Sequence, residues 1–209
     1  MESIKITWLG HACFIIEADS YRILIDPYKN GYVRGYNIHP VDVNEVICSH
    51  EHTDHNFRNI ANILPPRKSP FDITVINTYH DNAKGKLRGT NRIHIFTAFG
   101  IKVVHFGDIG CNITAKEEKQ LLNAHAVMIP TGGTYTICAK QANDIVNRIS
   151  PNTIIPMHYR TDKFGFDELE HIDDFAVLRN DVTFSDKNSI EITSDTRYGC
   201  VVLKYIDEK

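Results

Sequence analysis

Ten consecutive residues, Val46-Ile47-Cys48-Ser49-His50-Glu51-His52-Thr53-Asp54-His55, constrain this chain more than any other stretch. An apolar run that ends in three histidines and an aspartate reads as a buried β-strand with a polar cluster at its carboxyl end. Open α/β sheets build their sites there. Along an extended backbone residues i and i+2 point the same way, so His50 and His52 reach one metal ion together. Asp54 and His55 follow one short turn later and do not easily share those coordination positions, so the spacing suggests two adjacent ions rather than one. A carboxylate beside imidazoles suits a divalent ion of borderline hardness, and zinc, manganese and iron are all permitted. A helical zinc-protease motif would need imidazoles at i and i+4. Asp54 stands four residues after His50, so that reading fails. The bland alternative, a solvated histidine-rich loop, has no need to follow an apolar strand with this ligand order.

A chain of 209 residues is most economically a single domain with a core that needs no staples. Its 23 Lys and Arg against 26 Asp and Glu leave a formal charge of -3, which provides no broad basic field for a nucleic acid backbone. The only dense basic stretches are Arg67-Lys68 and residues 84–88. Five scattered cysteines, odd in number and without a Cys-x-x-Cys pair, read as reduced, mostly core thiols. The N-terminus enters a strand with no basic-then-apolar leader, and no apolar run approaches the roughly 20 residues of a spanning helix. The expectation is a soluble, cytoplasmic protein with no membrane role.

The opening third is strand after strand, at 4–9, 13–18 and 22–25, with Gly10-His11 and Asp19-Ser20 as turns. The tyrosine-rich segment 28–36 has no period and reads as a loop, either a lid or an ordinary surface loop. Phe57, Ile60, Ala61 and Leu64 recur at helical spacing before Pro65-Pro66, which predicts a helix after the motif. A strand at 73–77, a hairpin of 93–97 and 101–106, and a capping box at Thr114-Ala115-Lys116-Glu117 that starts a helix to about 123 come next. A strand at 126–129, a helix on the stripe Ala139, Ala142, Ile145, Val146 and Ile149, a strand at 153–155, a helix over 167–178 and strands at 189–193 and 200–205 complete the chain. A β-rich first half and an alternating second half fit two mixed sheets packed face to face with helices outside, a four-layer αββα sandwich.

A two-metal site needs about seven protein contacts, and strand ends are the places to look for the remainder. His80, Asp108 and His158 each stand just past an apolar run. His94 and His105 compete with His80, but both fall inside predicted strands.

The order His50-x-His52-x-Asp54-His55, His80, Asp108, His158 resembles the metallo-β-lactamase fold superfamily of metal-dependent hydrolases. Trp8-Leu9-Gly10-His11-Ala12, Phe106-Gly107-Asp108 and Ile155-Pro156-Met157-His158-Tyr159 resemble its L-ascorbate-6-phosphate lactonase-like branch. The resemblance implies that His50, His52 and His80 hold a first metal, that Asp54, His55 and His158 hold a second, and that Asp108 bridges them. It implies two divalent ions, zinc foremost, and a bridging hydroxide as nucleophile. Asp54 and His11 are the candidate catalytic side chains. For His11, substrate binding or proton transfer competes with a supporting structural role. Arg88, Asn91, Tyr135, Tyr159 and Arg160 are candidates for binding substrate polar groups.

Three readings of function follow. The first is hydrolysis of a small-molecule ester, lactone or phosphodiester, and the second is a nucleic-acid phosphodiesterase. The third is a di-iron redox or metal-binding protein, disfavoured because the redox branch carries a glutamate where this chain has His52. The partner is expected to be a small substrate without extended nucleic-acid binding, and homo-oligomerisation stays open.

Overall fold

Alternation fixes the first strand: Ile4, Ile6 and Trp8 are buried and Lys5 is exposed, the period-two pattern of a strand with one face on a core. The computed structural model describes residues 2–207. Its first half runs β1 (Ile4–Gly10), β2 (Cys13–Ala18), β3 (Tyr21–Ile25), β4 (Val41–Val43), β5 (Glu45–Ile47), a 3₁₀ turn (Arg58–Ile60), β6 (Ala61–Ile63), β7 (Asp72–Tyr79) and β8 (Thr90–Ala98). Its second half runs β9 (Ile101–His105), α1 (Ala115–Leu121), β10 (Ala126–Pro130), α2 (Ala139–Ile149), β11 (Thr153–Met157), α3 (Ile172–Ala176), β12 (Val182–Phe184), β13 (Ser189–Ile192) and β14 (Gly199–Val202).

Two sheets share one apolar core. The five-stranded sheet has the order β13-β1-β2-β3-β5, and the seven-stranded sheet the order β12-β14-β11-β10-β9-β8-β7. Helix α2 lies on the seven-stranded sheet against β10 and contacts both α1 and α3. Its stripe of Ala139, Ala142, Ile145, Val146 and Ile149 is wholly buried, and Ser150 ends it in the left-handed conformation. The arrangement is two mixed sheets packed on a common core, as the element order predicts.

Strand direction positions the site. In the seven-stranded sheet β8 alone is antiparallel to its neighbours, so β7, β9, β10 and β11 all end on one edge. In the other sheet β1, β3 and β5 likewise share a direction. Their carboxyl ends deliver His11, Asp26 and the His50–His55 segment. The carboxyl ends of β7, β9 and β11 in the seven-stranded sheet deliver His80, Asp108 and His158 from across the core.

Several local expectations fail, each for a physical reason. The helix predicted over residues 57–64 is a single 3₁₀ turn followed by β6, which pairs in parallel with β4, a long-range partner invisible to local periodicity. The helix predicted over 167–178 shrinks to α3. Residues before it are taken by other bonds, Glu170 N to Gly132 O among them, and Val177 and Leu178 beyond it are exposed. The strand before the motif, read as buried, is half-buried along β5 and fully buried only from Cys48. The segment 28–36 is pinned by the buried Tyr28, Val33 and Tyr36, with the Tyr28 hydroxyl donating to Leu9 O at 2.7 Å, so it forms a fixed wall from which Tyr32 projects. All five cysteines are free. Among the described residues no helix is long and apolar enough to cross a membrane.

Candidate metal centre

The rim where both sheets end is conformationally costly to build. His11, Asp26 and His158 all hold positive φ, at 52°, 50° and 51°, a region that side-chain-bearing residues rarely enter. Each is buried. The chain turns sharply at these points and directs the side chains into the space between the sheets.

Two groups of donors converge there, His50, His52 and His80 in one and His11, Asp54, His55 and His158 in the other, and Asp26 with His50 and His55 makes a third that shares a ring with each; the donor atoms of each group lie within 4.8 Å of one another. Asp108 stands between the first two: its Oδ2 lies 3.3 Å from Nε2 of His80, 3.1 Å from that of His55 and 3.0 Å from that of His158. Donor atoms that share a tetrahedral ion at bonds of about 2.0–2.1 Å would stand about 3.3 Å apart, so these separations are those of common ligands.

Asp26, which the sequence reading did not name, sets the protonation of two rings. Its Oδ1 accepts from Ser49 N at 2.6 Å, and its Oδ2 accepts from Ser49 Oγ at 2.6 Å and His55 Nδ1 at 3.0 Å. The serine hydroxyl has one proton, which it gives to Asp26, so its oxygen accepts from His50 Nδ1 at 2.9 Å. This network assigns the N–H of both rings to Nδ1 and leaves a lone pair on Nε2 of each. Both Nε2 atoms are buried without a hydrogen-bond partner, as is Oδ1 of Asp108. At His55 a lone pair therefore faces a carboxylate oxygen, an arrangement that requires a cation between or beside them.

The electrostatics agree. Burial opposes charge on His55, yet Asp108, Asp54 and Asp26 together raise its pKa well above the usual histidine value. Three carboxylates thus demand positive charge at this ring, and a proton or a divalent ion meets the demand. Burial lowers His50 to about 3, so it stays a neutral donor. Burial, then His158, lowers His11 to about 4. Burial would raise Asp108, but His158 and His55 hold it well below the carboxylate range. These residues fit divalent ions.

The other candidates separate cleanly. His105 spends both ring nitrogens, on Ala12 O and Gly107 N, and His94 lies opposite it on β8, outside the two donor groups. Asn91 is buried and holds the backbone of Asp108, its Oδ1 accepting from Asp108 N at 2.9 Å. Tyr159 is buried against Trp8, and Arg160 donates to Leu169 O. His11 is wholly buried, with Nε2 3.3 Å from Asp54 Oδ2. Arg88 and Tyr135 do reach the site: they line a cavity of about 430 Å³ with Tyr32, Phe166, His52, Asp54, His80 and Asp108. A larger hollow of about 680 Å³ beside Lys5 and Phe184 holds none of the clustered histidines.

The β-lactamase superfamily domain matches residues 5–158 of this chain. A UPF0173 metal-dependent hydrolase of Caldivirga maquilingensis is 30% identical over 74% of this chain and 81% of the relative. A second, from Methanosarcina barkeri, is 28% identical over 77% of this chain and 85% of its own length. Among solved structures, a Thermotoga maritima protein named as a Zn-dependent hydrolase of the metallo-β-lactamase superfamily aligns with a TM-score of 0.74 at 30% identity, covering 96% of this chain and 98% of that one.

Proposed function

This chain belongs to the metallo-β-lactamase superfamily of metal-dependent hydrolases, and on that premise we propose that it hydrolyses a small-molecule ester, lactone or phosphodiester at a dinuclear metal centre. The observation that carries the reading is the position of Asp108 Oδ2 within 3.0–3.3 Å of imidazoles from both donor groups. His50, His52 and His80 would hold one ion, Asp54, His55 and His158 the other, and Asp108 would join them. Zinc suits these donors best, and the Thermotoga relative is named Zn-dependent; manganese and iron fit the same atoms.

Bound there, the ions supply Lewis acidity and lower the pKa of water from 15.7 to roughly 7, so that a hydrolytic nucleophile exists at neutral pH. The chain supplies the order around them. Asp26 and Ser49 hold His50 and His55 in the tautomer that presents Nε2, and Asn91 fixes the backbone that carries Asp108. His11 faces Asp54 and does not line the cavity, so we assign it a positioning role: it steadies the Asp54 carboxylate.

The cavity favours a small substrate, since about 430 Å³ is within the range of small-molecule sites. Long polyanions need a row of phosphate contacts, and Arg58 and Arg92 are both paired with Glu51 of the motif. The test joins elemental analysis of the dialysed protein to a panel of lactones, aryl esters, phosphodiesters and structured RNA. The expected result is two ions per chain and metal-dependent turnover of at least one small substrate. One ion or fewer despite added metal would sink the dinuclear centre, and salt-sensitive RNA cleavage with the small substrates untouched would sink the substrate class.

A further inference from the structure

At the edge of the candidate active site the guanidinium of Arg88 has no hydrogen bond or ion pair among the described residues. Every other arginine among the described residues has its guanidinium held by a hydrogen bond or an ion pair, whereas that of Arg88 has neither. The ring centroid of Tyr135 lies 5.4 Å from Arg88 Cζ. A guanidinium packed over an aromatic face has that face covered and keeps its in-plane N–H donors free for a planar oxyanion.

The position of Arg88 is built. Asp81 is buried and accepts four backbone N–H groups of the loop it opens: Oδ1 from Ala83 and Gly85, Oδ2 from Leu87 at 3.0 Å and Arg88 at 2.8 Å. The loop closes on the site itself, because His80 N donates to Gly89 O at 3.1 Å. One carboxylate therefore fixes the backbone of Arg88 relative to a metal-competent histidine. Of the three acids that share the cavity, Glu51 has both oxygens bonded to Arg58, at 2.8 and 3.0 Å, and Asp54 and Asp108 face the clustered histidines, Asp54 Oδ2 at 3.3 Å from His11 and Asp108 Oδ2 at 3.0 Å from His158.

Beside the cation runs an aromatic wall. Phe166 meets Tyr135 and Tyr32 edge-to-face, each at 6.1 Å and at 82° and 88°. The same ring touches His11 at 5.5 Å, which ties the wall to the second donor group. A solvent-accessible set of three rings and one unspent cation around a histidine-lined cavity is a recognition surface for a flat apolar group that carries an anion.

We propose that this cavity selects substrates that bear a carboxylate or phosphate group on a flat, apolar moiety, with the oxyanion on Arg88 and the flat portion against Tyr32, Tyr135 and Phe166. The inference rests on the hydrolase reading for the location of the scissile bond. A planar carboxylate and a phosphate both match the guanidinium, and the test separates them.

Two measurements on the metal-loaded protein decide it. In the first, kcat/KM is compared for phenyl acetate, 4-acetoxybenzoate and 4-acetoxyphenyl phosphate, in the wild type and in Arg88→Gln. The anionic esters should exceed the neutral one by at least about tenfold, and Arg88→Gln should reduce that ratio by at least about tenfold, with the larger loss on the anion that the site prefers. A ratio indifferent to Arg88→Gln overturns the proposal. In the second, binding of benzoate, phenyl phosphate and neutral benzamide is followed by calorimetry in both proteins, with a melting curve to show that the variant is folded. Tighter binding of an anion that depends on Arg88, in a protein that cleaves none of the esters, would support the anion site and count against the hydrolase reading alone. Ester hydrolysis with anion binding unchanged by Arg88→Gln would keep the hydrolase and remove the anion site.

Discussion

Asp26 Oδ2 lies 3.0 Å from Nδ1 of His55, and neither side chain has any exposed surface. A buried carboxylate on the far nitrogen fixes the ring's tautomer and increases the basicity of Nε2, the atom left for a metal. Burial alone would raise the pKa of Asp26, but His55 draws it down to about 2, so the carboxylate stays ionised. Asp26→Asn is therefore expected to weaken metal binding by about 10- to 100-fold while the fold persists. Competition against a chromophoric chelator measures it. An unchanged affinity would reduce Asp26 to a structural residue of the β3 turn.

Asp108 Oδ2 lies 3.0–3.3 Å from Nε2 of His80, His55 and His158, imidazoles drawn from both donor groups. On the proposed reading the replacement of Asp108 by alanine would remove a shared ligand, and it leaves the imidazoles of His55, His80 and His158 without their anion. Turnover is expected to fall by at least about 100-fold, and metal content with it, beyond what any loss of stability explains. Unfolding curves and rates should be taken on the same preparations. Survival of turnover within about tenfold, only about 1.4 kcal/mol of barrier, would show that Asp108 does not join the ions.

What the sequence reveals here depends on how local the cause is. His80, Asp108 and His158 are legible because each follows an apolar run that cannot be anything but a strand, and strands that share a direction end together. Asp26 obeys the same rule after Leu24-Ile25, but Pro27 behind it makes the position look like an ordinary turn. Its partners, Ser49 and His55, lie 23 and 29 residues away. The spacing of Phe57, Ile60, Ala61 and Leu64 imitates a helix because local spacing cannot report that Ala61–Ile63 has a strand partner at Val41–Val43. The position of Arg88 is equally hidden: lysine-rich loops are common, and only the structure shows that, among the described arginines, its guanidinium alone has no hydrogen bond or ion pair.

Removal of the ions should lower stability. Asp26, Asp54 and Asp108 surround His55, and without cations their repulsion is relieved only by a proton. At free metal of about 100 times Kd, the bound state gains about 2.7 kcal/mol, which corresponds to about 5–10 °C in Tm for a chain of this size. Calorimetric scans with and without chelator, and again after zinc is restored, test this. A Tm indifferent to all three conditions would argue against any tightly held ion.

His80 and His94 make contrasting predictions. His80 meets His50 and His52 with ring centroids at 4.7 and 5.0 Å, whereas His94 stacks on Phe96 at 6.1 Å with a buried Nδ1 that has no partner. His80→Ala should lose at least one ion, and His94→Phe should retain both, since an apolar ring can occupy a site that makes no use of its nitrogen. Metal content of the two variants decides between them. Loss of metal in His94→Phe with retention in His80→Ala would reverse the assignment of the third donor.

Gly107 separates crowding from backbone strain next to Asp108. It holds φ at +55°, and a Cβ placed there would stand 2.5 Å from Cβ and 2.8 Å from Oγ of Ser49 while also pressing on Asn91. Ser49 relays Asp26 to His50, and Asn91 holds the backbone of Asp108, so the intruding methyl would move the supports of both donor groups at once. Overpacking costs about 1–3 kcal/mol and a left-handed alanine about 1 kcal/mol more, so Gly107→Ala is expected to lose about 2–4 kcal/mol of stability and to bind metal more weakly. Gly107→Asn supplies the control: asparagine tolerates this backbone, but its side chain meets the same atoms. If crowding dominates, both variants fail alike in thermal melts and metal titrations. If asparagine restores stability and metal binding while alanine does not, backbone strain is the cause, and the close approach of Gly107 to Ser49 contributes little to the site.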